Sequence, residues 1–298
     1  MTEPPYLDSD CWILSGPTAS GKTSLAITMA QQLNAEIISV DSMAVYTGLD
    51  IGTAKPDATQ RQIVPHHCLD LVPPEKTFSV AHWLHASSDA IKVIRNRGKK
   101  VLFVGGTPLY LRSLCNGLAP LPPENPALRQ QLEHDANTHG LQYLHSQLQT
   151  RDPLAASQIH PNDKKRIIRA LEVIETTGHP LSDIRQTAKV NSHSRSPTFQ
   201  SQMLILDMPR AYLYQRIGKR VDNMFCSGLL EETHHAMAHG GFGGTACQAP
   251  GYAEAIAFHN KQVALDEAIE QTKKRTRQLA KRQLTWLRSF KNAIWITA

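Results

Sequence analysis

Short apolar runs alternate with stretches of helical spacing over the first hundred residues. Cys11–Ser15 reads CWILS and Lys100–Val104 reads KVLFV, each the length of a strand buried on both faces. Glu36–Val40 (EIISV) predicts a further strand, and Lys22–Leu33 a helix after the first one. Over residues 79–97, Val80, Trp83, Leu84, Ile91 and Ile94 recur on one helical face, with Ser79 placed to cap the start and Gly98 to end the helix. Strands alternating with helices predict a parallel sheet with crossover helices, an α/β fold. Near residue 119 the pattern changes: APLPPENP reads as a linker, and residues 126–178 are helical in spacing with few strand-like runs. Residues 181–200 are polar and predict a mobile loop, after which Met203–Asp207 (MLILD) resumes a buried strand and the remainder from Pro209 is mostly helical. The predicted organisation is therefore a core of residues 1–118 and 201–298 with a mostly helical insertion domain at 119–200, and no internal repeat.

Composition narrows the class. Apolar residues make up 41% and charged residues 19%, which suits a sizeable core and excludes global disorder. The formal net charge of +6 favours a polyanionic partner. Five cysteines, an odd number with no CxxC pair, suit reduced thiols and a cytoplasmic location. The pairs His66-His67 and His234-His235 lack zinc-site spacing. The opening MTEPPYLDSD has no apolar stretch and does not read as a signal peptide, and no run reaches membrane-spanning length.

Residues 16–23, GPTASGKT, satisfy G-x-x-x-x-G-K-[ST] in full, after a predicted strand and at the start of a predicted helix. The core is thus expected to be P-loop NTPase-like. Backbone amides along Gly16, Pro17, Thr18, Ala19, Ser20, Gly21, Lys22 and Thr23 can close around phosphate oxygens, aided by the helix N-terminus. Lys22 supplies a point charge, and the Thr23 hydroxyl is placed for Mg²⁺. Such a motif, of the ATP-binding type, recognises a diphosphate and is silent on what is attached. A small-molecule or nucleotide kinase would also want a metal-binding aspartate at a neighbouring strand end, whereas VLFV runs into Gly105-Gly106-Thr107. Asp41-Ser42 stands at the end of the second strand, on the side where sheet ligands bind, and its carboxylate could accept a proton or hold a metal.

Around these positions SVDSMAVYTGLDIGTAKP (39–56) resembles a signature of the tRNA dimethylallyltransferase family, also called tRNA isopentenyltransferases or IPP transferases. Further blocks match in order: VPHH (64–67), VGGTPLYLRSL (104–114), NDKKRIIRALEV (162–173), RIGKRVDNM with GLLEE (216–232), QAPGYAE (248–254) and TRQLAKRQLTWLR (276–288). The resemblance spans nearly the whole chain and is of bacterial type, without the zinc-finger extension of longer eukaryotic members. One departure is Ala253, where the family usually carries lysine or arginine.

The resemblance implies transfer of a dimethylallyl group from dimethylallyl diphosphate to N6 of the adenosine at tRNA position 37, releasing diphosphate with Mg²⁺ assistance. It implies a P-loop α/β core with a helical insertion. It casts Asp41 as the base that takes a proton from the amine, with Thr107 orienting the adenosine and Lys22 on the diphosphate. Arg216 and Arg220 could share the departing charge or be plain helix-surface charge. Implied tRNA contacts are Asp41, Ser42, Met43, Ala44, Thr107, Arg129, Lys165, Arg166, Ile167, Ile168, Arg169, Cys247, Gln248, Gly251 and Tyr252. The expected partners are the tRNA anticodon loop and dimethylallyl diphosphate, with no membrane and no obligate protein partner, consistent with a monomer. Independently of the resemblance, residues 271–291 hold eight Lys or Arg and no Asp or Glu. As a helix this segment sets Lys273, Lys274, Arg277, Lys281 and Arg288 on one side and Ile269, Leu279, Leu287 and Phe290 near the other, so Lys273, Arg277 and Lys281 are expected to meet tRNA phosphates. A kinase and a non-catalytic P-loop RNA-binding module remain the alternative readings, separable by ATP consumption and by a prenyl-transfer assay.

Overall fold

The computed structural model describes residues 7–192 and 202–297. They fall into two compact units, residues 116–195 and the chain on either side of them. The larger unit begins with β1 (Cys11–Ser15), α1 (Lys22–Leu33), β2 (Ala35–Ser39), α2 (Ala58–Ile63), β3 (His66–His67), α3 (Val80–Asn96), β4 (Lys100–Val104) and α4 (Pro108–Asn116). The smaller holds α5 (Pro126–His139), α6 (Leu141–Arg151), α7 (Pro153–Gln158), α8 (Lys164–Thr177) and α9 (Leu181–Ser192). The larger resumes with β5 (Met203–Asp207), α10 (Arg210–Cys226), α11 (Leu229–Ala238), α12 (Tyr252–His259), α13 (Leu265–Leu287) and β6 (Ile294–Thr297).

The sheet is parallel throughout, in the order β3-β2-β4-β1-β5-β6. Its central strands carry apolar residues on both faces because helices cover both, as parallel pairing requires. Ile13, Leu14, Ile37, Ile38, Leu102 and Phe103 are essentially inaccessible. Ser79 caps α3 as its position suggests, accepting from the amide of His82, and Trp83, Leu84, Ile91 and Ile94 are buried beneath it. β4 inserts between β1 and β2, so the carboxyl ends of three successive neighbours open on one edge.

In the smaller unit Leu144, Leu148, Ile167, Ala170, Leu171 and Val173 form a closed apolar core. The expected loop at 181–200 is corrected in its first part: residues 181–192 are helical, because Leu181 is buried in that core and Ile184, one turn on, packs against it. Residues 193–200 lie outside the described ones. Glu172 of α8 is fully buried and accepts from the Asn125 amide at 2.7 Å, from Arg129 Nε at 3.0 Å and from Arg169 at 2.5 Å. Arg169 also donates to the Pro122 carbonyl at 2.7 Å, fastening the proline-rich stretch. Burial alone would raise the Glu172 pKa; its hydrogen bonds from Arg129, Arg169 and Asn125 outweigh that and hold it below the usual carboxylate value.

Candidate functional site

Three loops leave the carboxyl ends of β1, β2 and β4 and meet. After β1 the phosphate loop turns through Ala19, held at φ 65°, and Gly21, at φ 90°, before α1 begins at Lys22. Between β4 and α4, Gly105 donates its amide to Leu14 O at 3.2 Å, and Thr107 donates its own to Val40 O at 3.2 Å. These approaches demand glycine. A Cβ at Gly105 would lie 2.2 Å from Val40 O, and one at Gly106 would lie 2.7 Å from Gly16 O. The two glycines let Thr107 reach the β2 end, where its Oγ1 accepts the Ser42 amide at 3.1 Å. Asp41 Oδ1 accepts the Met43 amide at 2.8 Å, which orients the carboxylate.

A cleft of about 280 Å³ opens at this edge, lined by residues 18–24 of the phosphate loop, Asp41, Thr53 to Pro56, Gly105, Gly106, Arg216, Arg220 and Gln283. Lys22 Nζ donates to Gly16 O at 3.0 Å and Pro17 O at 2.7 Å. Burial pushes its pKa down to about 7, with the nearby Arg220 guanidinium adding to the fall and Asp41 opposing it. Arg216 Nε donates to Ala19 O at 2.8 Å, and Arg220 to Thr53 O at 3.3 Å. Burial also lowers the Arg220 pKa, again opposed by Asp41. The structure thus brings Lys22, Arg216, Arg220, Asp41 and residues 18–23 of the phosphate loop around one space, and sets Thr107 beside Ser42. Both arginines, half-buried, line the cleft.

The loop that closes the far side is fastened largely by residues that lie within the matched blocks, although none of them was expected to have this role. Glu232 accepts the amides of Asp50 and Ile51 at 2.8 Å each, and the Tyr252 hydroxyl donates to it while accepting the Gly52 amide at 3.1 Å. Tyr252 is fully buried in this role, so the expected tRNA contact by its side chain is corrected to a structural one. Burial first, then Glu232, raises its pKa. Lys55, almost wholly buried, donates to Tyr46 O at 2.5 Å and pairs with Asp50 at 2.7 Å and Asp70 at 2.6 Å. Gln283, missed in the sequence, accepts the Thr18 amide at 2.8 Å and donates to Gly106 O at 2.9 Å.

Other expected contacts divide by burial. Ile167 and Ile168 are core residues, which leaves their side chains no RNA surface; Gly251 is buried as well, and Ala44 is buried but lines the cleft. Arg129 and Arg169 are committed to Glu172. Lys165, Arg166 and Gln248 are exposed, with Arg166 paired to Asp163 at 3.3 Å, while Met43 and Cys247 are half-buried. On α13 the buried stripe is Ala268, Thr272, Thr276, Ala280, Gln283 and Leu287; of the expected apolar face Leu287 and Phe290 are buried, whereas Ile269 and Leu279 are only half-buried and small or polar residues take their place. Small side chains at four-residue spacing let the helix lie close to its neighbours, and α10 is one of them. Lys273 is consequently half-buried and paired with Asp222 at 2.8 Å and Glu270 at 2.9 Å, Arg277 lies 6.0 Å from the Tyr214 ring centroid, and Lys281 is exposed.

Among the described residues no group of three or more His, Cys, Asp or Glu could hold a metal ion. Thr23 lines the cleft beside Lys22, with Asp41 in the same lining, and its hydroxyl is of the kind that would hold a divalent cation together with a diphosphate. Among the described residues no helix is long and apolar enough to cross a membrane.

Comparison with known proteins sets this geometry in context. The profile of the IPP transferase family matches residues 44–290, and that of isopentenyl transferase matches residues 9–66. A tRNA dimethylallyltransferase of Geobacter metallireducens is 42% identical over 286 residues, covering 95% of this chain and 91% of the relative. One from Moorella thermoacetica is 43% identical, covering 94% and 87%. The crystal structure of a tRNA isopentenylpyrophosphate transferase from Bacillus halodurans superposes with a TM-score of 0.68 at 37% identity, over 97% of this chain and 90% of that one. A eukaryotic dimethylallyltransferase captured acting on tRNA superposes with a TM-score of 0.77 at 29% identity, over 97% and 74%.

Proposed function

We infer the reaction from one premise: the chain belongs to the IPP transferase family, the tRNA dimethylallyltransferases. It transfers a dimethylallyl group to tRNA. More finely, we propose dimethylallyl diphosphate as donor, Mg²⁺ as the cation, and N6 of the adenosine at position 37, beside the anticodon, as acceptor. The observation that carries this reading is the meeting, in one cleft, of a phosphate grip at the end of β1 with an aspartate at the end of β2, two strands apart across β4.

The chemistry follows from that arrangement. An exocyclic adenine amine is a weak nucleophile because its lone pair is delocalised into the ring. As its nitrogen bonds to C1 of the dimethylallyl group, the C1–O bond to diphosphate breaks and the amine must lose a proton. Asp41, oriented by the Met43 amide, is the acceptor of that proton. Negative charge accumulates on the departing diphosphate, where backbone amides of the phosphate loop, Lys22, Arg216 and Arg220 stabilise it. Thr23 is the residue that would hold Mg²⁺ here, and the ion would supply further charge neutralisation. Arg220 and Lys22 lie close enough to repel each other in a buried site, a cost that a bound polyanion relieves. The adenosine has to leave its stack to reach Asp41, and a single-stranded anticodon loop makes that extrusion inexpensive. Exposed Lys281 on α13, and Lys165 and Arg166 on α8, offer phosphate contacts. We place the enzyme in the cytoplasm, acting without an obligate protein partner.

The test is incubation with unmodified tRNA, dimethylallyl diphosphate and Mg²⁺, followed by mass spectrometry of the nucleosides. A dimethylallyl adduct on adenosine is expected. Absence of the adduct together with ATP consumption would favour a kinase.

A further inference from the structure

Gln283 belongs to the basic helix α13, yet its side chain is buried at the reaction cleft. Its Oε1 accepts from the amide of Thr18 in the phosphate loop, and its Nε2 donates to the carbonyl of Gly106, the residue before Thr107. One side chain therefore ties the loop that grips the donor to the loop that carries Thr107. Its chemistry is specific. One partner is an N–H that needs an acceptor and the other a carbonyl that needs a donor. A carboxylate cannot donate, and an ammonium or guanidinium cannot accept. Gly106 is part of the same fit, because a Cβ there would sit 2.7 Å from Gln283 Nε2. The bridge engages the Thr18 amide, and the Ser20 amide donates to Pro17 O at 3.2 Å, so phosphate binding falls to the other amides of the loop.

We propose that Gln283 is a positioning residue for the transfer, setting the distance between the diphosphate grip and the Asp41–Thr107 edge that receives the adenosine. This inference rests on the reaction proposed above. Transfer requires the attacked carbon and the amine nitrogen roughly 3–3.5 Å apart, and a misplacement of about 1 Å can cost on the order of 100-fold in rate. Two loops released from each other could drift by that much without unfolding.

The experiment uses the full chain with Gln283→Met, which keeps the volume and removes both hydrogen bonds, and Gln283→Glu, which keeps only the acceptor for Thr18. Single-turnover rates at saturating donor and tRNA, tRNA affinity and thermal melts are measured for each. Gln283→Met is expected to lower the single-turnover rate roughly 10- to 100-fold, with tRNA affinity within about twofold of the parent and Gln283→Glu no better than partly active. Combining Gln283→Met with Thr107→Val should cost less than the product of the two single losses, because both act on one loop. A purely structural residue would instead lower melting temperature and tRNA affinity together and combine multiplicatively. An active parent with Gln283→Met at near-parental rate, or with independent losses in the double variant, overturns the inference. A parent that forms no prenylated tRNA overturns the reaction and this inference with it.

Discussion

Asp41 leaves the end of β2 with one carboxylate oxygen accepting the Met43 amide. The other is thereby directed, and Asp41→Asn would keep the shape while removing the proton acceptor. Single-turnover transfer should fall by at least ~10²-fold with tRNA binding retained, the low end for loss of a general base; a near-parental rate would remove Asp41 from that role. Lys22 supports a second expectation. Its pKa lies near 7 in the free protein, because burial and Arg220 disfavour the ammonium. A bound diphosphate favours the ammonium and raises that pKa, so binding at pH 8 should take up protons, and affinity should weaken as pH rises above 7. Calorimetry of inorganic diphosphate binding in buffers of different ionisation enthalpy measures the uptake directly, and zero uptake at pH 8 would contradict a Lys22 that is mostly neutral at that pH. Of these residues Lys22 was legible in the sequence, since GPTASGKT carries its mechanism in its spacing. Asp41 could be noticed from its place at the end of a strand, but its role, like that of Thr107, came only through the family resemblance. Gln283 was not legible, because a glutamine among eight basic residues gives no sign of which face of the helix is buried.

At the scale of elements, the strands that carry the site were readable because parallel strands are continuous apolar runs: β1, β4 and β5 keep the predicted bounds. β3 and β6 were not, since His66-His67 is two residues long and IWIT sits at the sheet edge, where little apolar pattern is needed. α9 was hidden by its polar majority, with two apolar positions sufficient to dock it. α8 and α13 show charge being spent in two ways. On α8, Glu172 holds Arg129 and Arg169 inside the unit, so Glu172→Ala should destabilise the protein by about 3 kcal/mol through loss of a buried carboxylate that satisfies two guanidiniums. Urea unfolding followed by circular dichroism tests this, and an unchanged midpoint would show the cluster to be surface decoration. On α13, Lys281 is exposed whereas Lys273 is paired with Asp222 and Glu270. Lys281→Ala should therefore lower tRNA affinity and reduce the slope of log K against log [salt] by about 0.7 to 0.9, while Lys273→Ala should change the slope far less. Equal effects would mean that the Lys273 pairs open when RNA binds.

For the whole molecule, acid and base should act through different groups. Asp10 is held below its usual pKa by hydrogen bonds from Arg95. For Asp70 and Glu172, burial raises the pKa but is outweighed by hydrogen bonds, from Lys55 and Arg61 to the one and chiefly from Arg129 and Arg169 to the other. The unfolded chain binds protons at these carboxylates before the native one does, so their stabilisation is present above the ordinary values of 3.8 and 4.5 and is lost as pH falls through the lower native pKa values. Both units contain such a group, and acid unfolding should engage both. Lys22 gives a slope of the same sign, but as a cost relieved at high pH rather than a gain lost at low pH. Its ordinary pKa is 10.5 and its native one about 7. Below pH 7 both states are protonated and the full cost of burying the charge is present. Between pH 7 and 10.5 the unfolded state binds more protons, so this contribution rises with pH. The buried thiols Cys11, Cys68 and Cys115, raised from 9.0 to about 12, reverse the trend above pH 9, which sets the useful window at 7 to 9. Lys22→Met, with no charge to bury, should melt at a higher temperature than the parent at pH 6, and the gap should narrow towards pH 9. The same variant should fail to use dimethylallyl diphosphate, as expected where a destabilised group is retained for its function. Melting curves across that pH range, paired with transfer assays, test both halves. A variant less stable than its parent at pH 6 would mean that the bonds from Lys22 to Gly16 and Pro17 outweigh the cost of burying its charge, and that the phosphate loop depends on them for its shape.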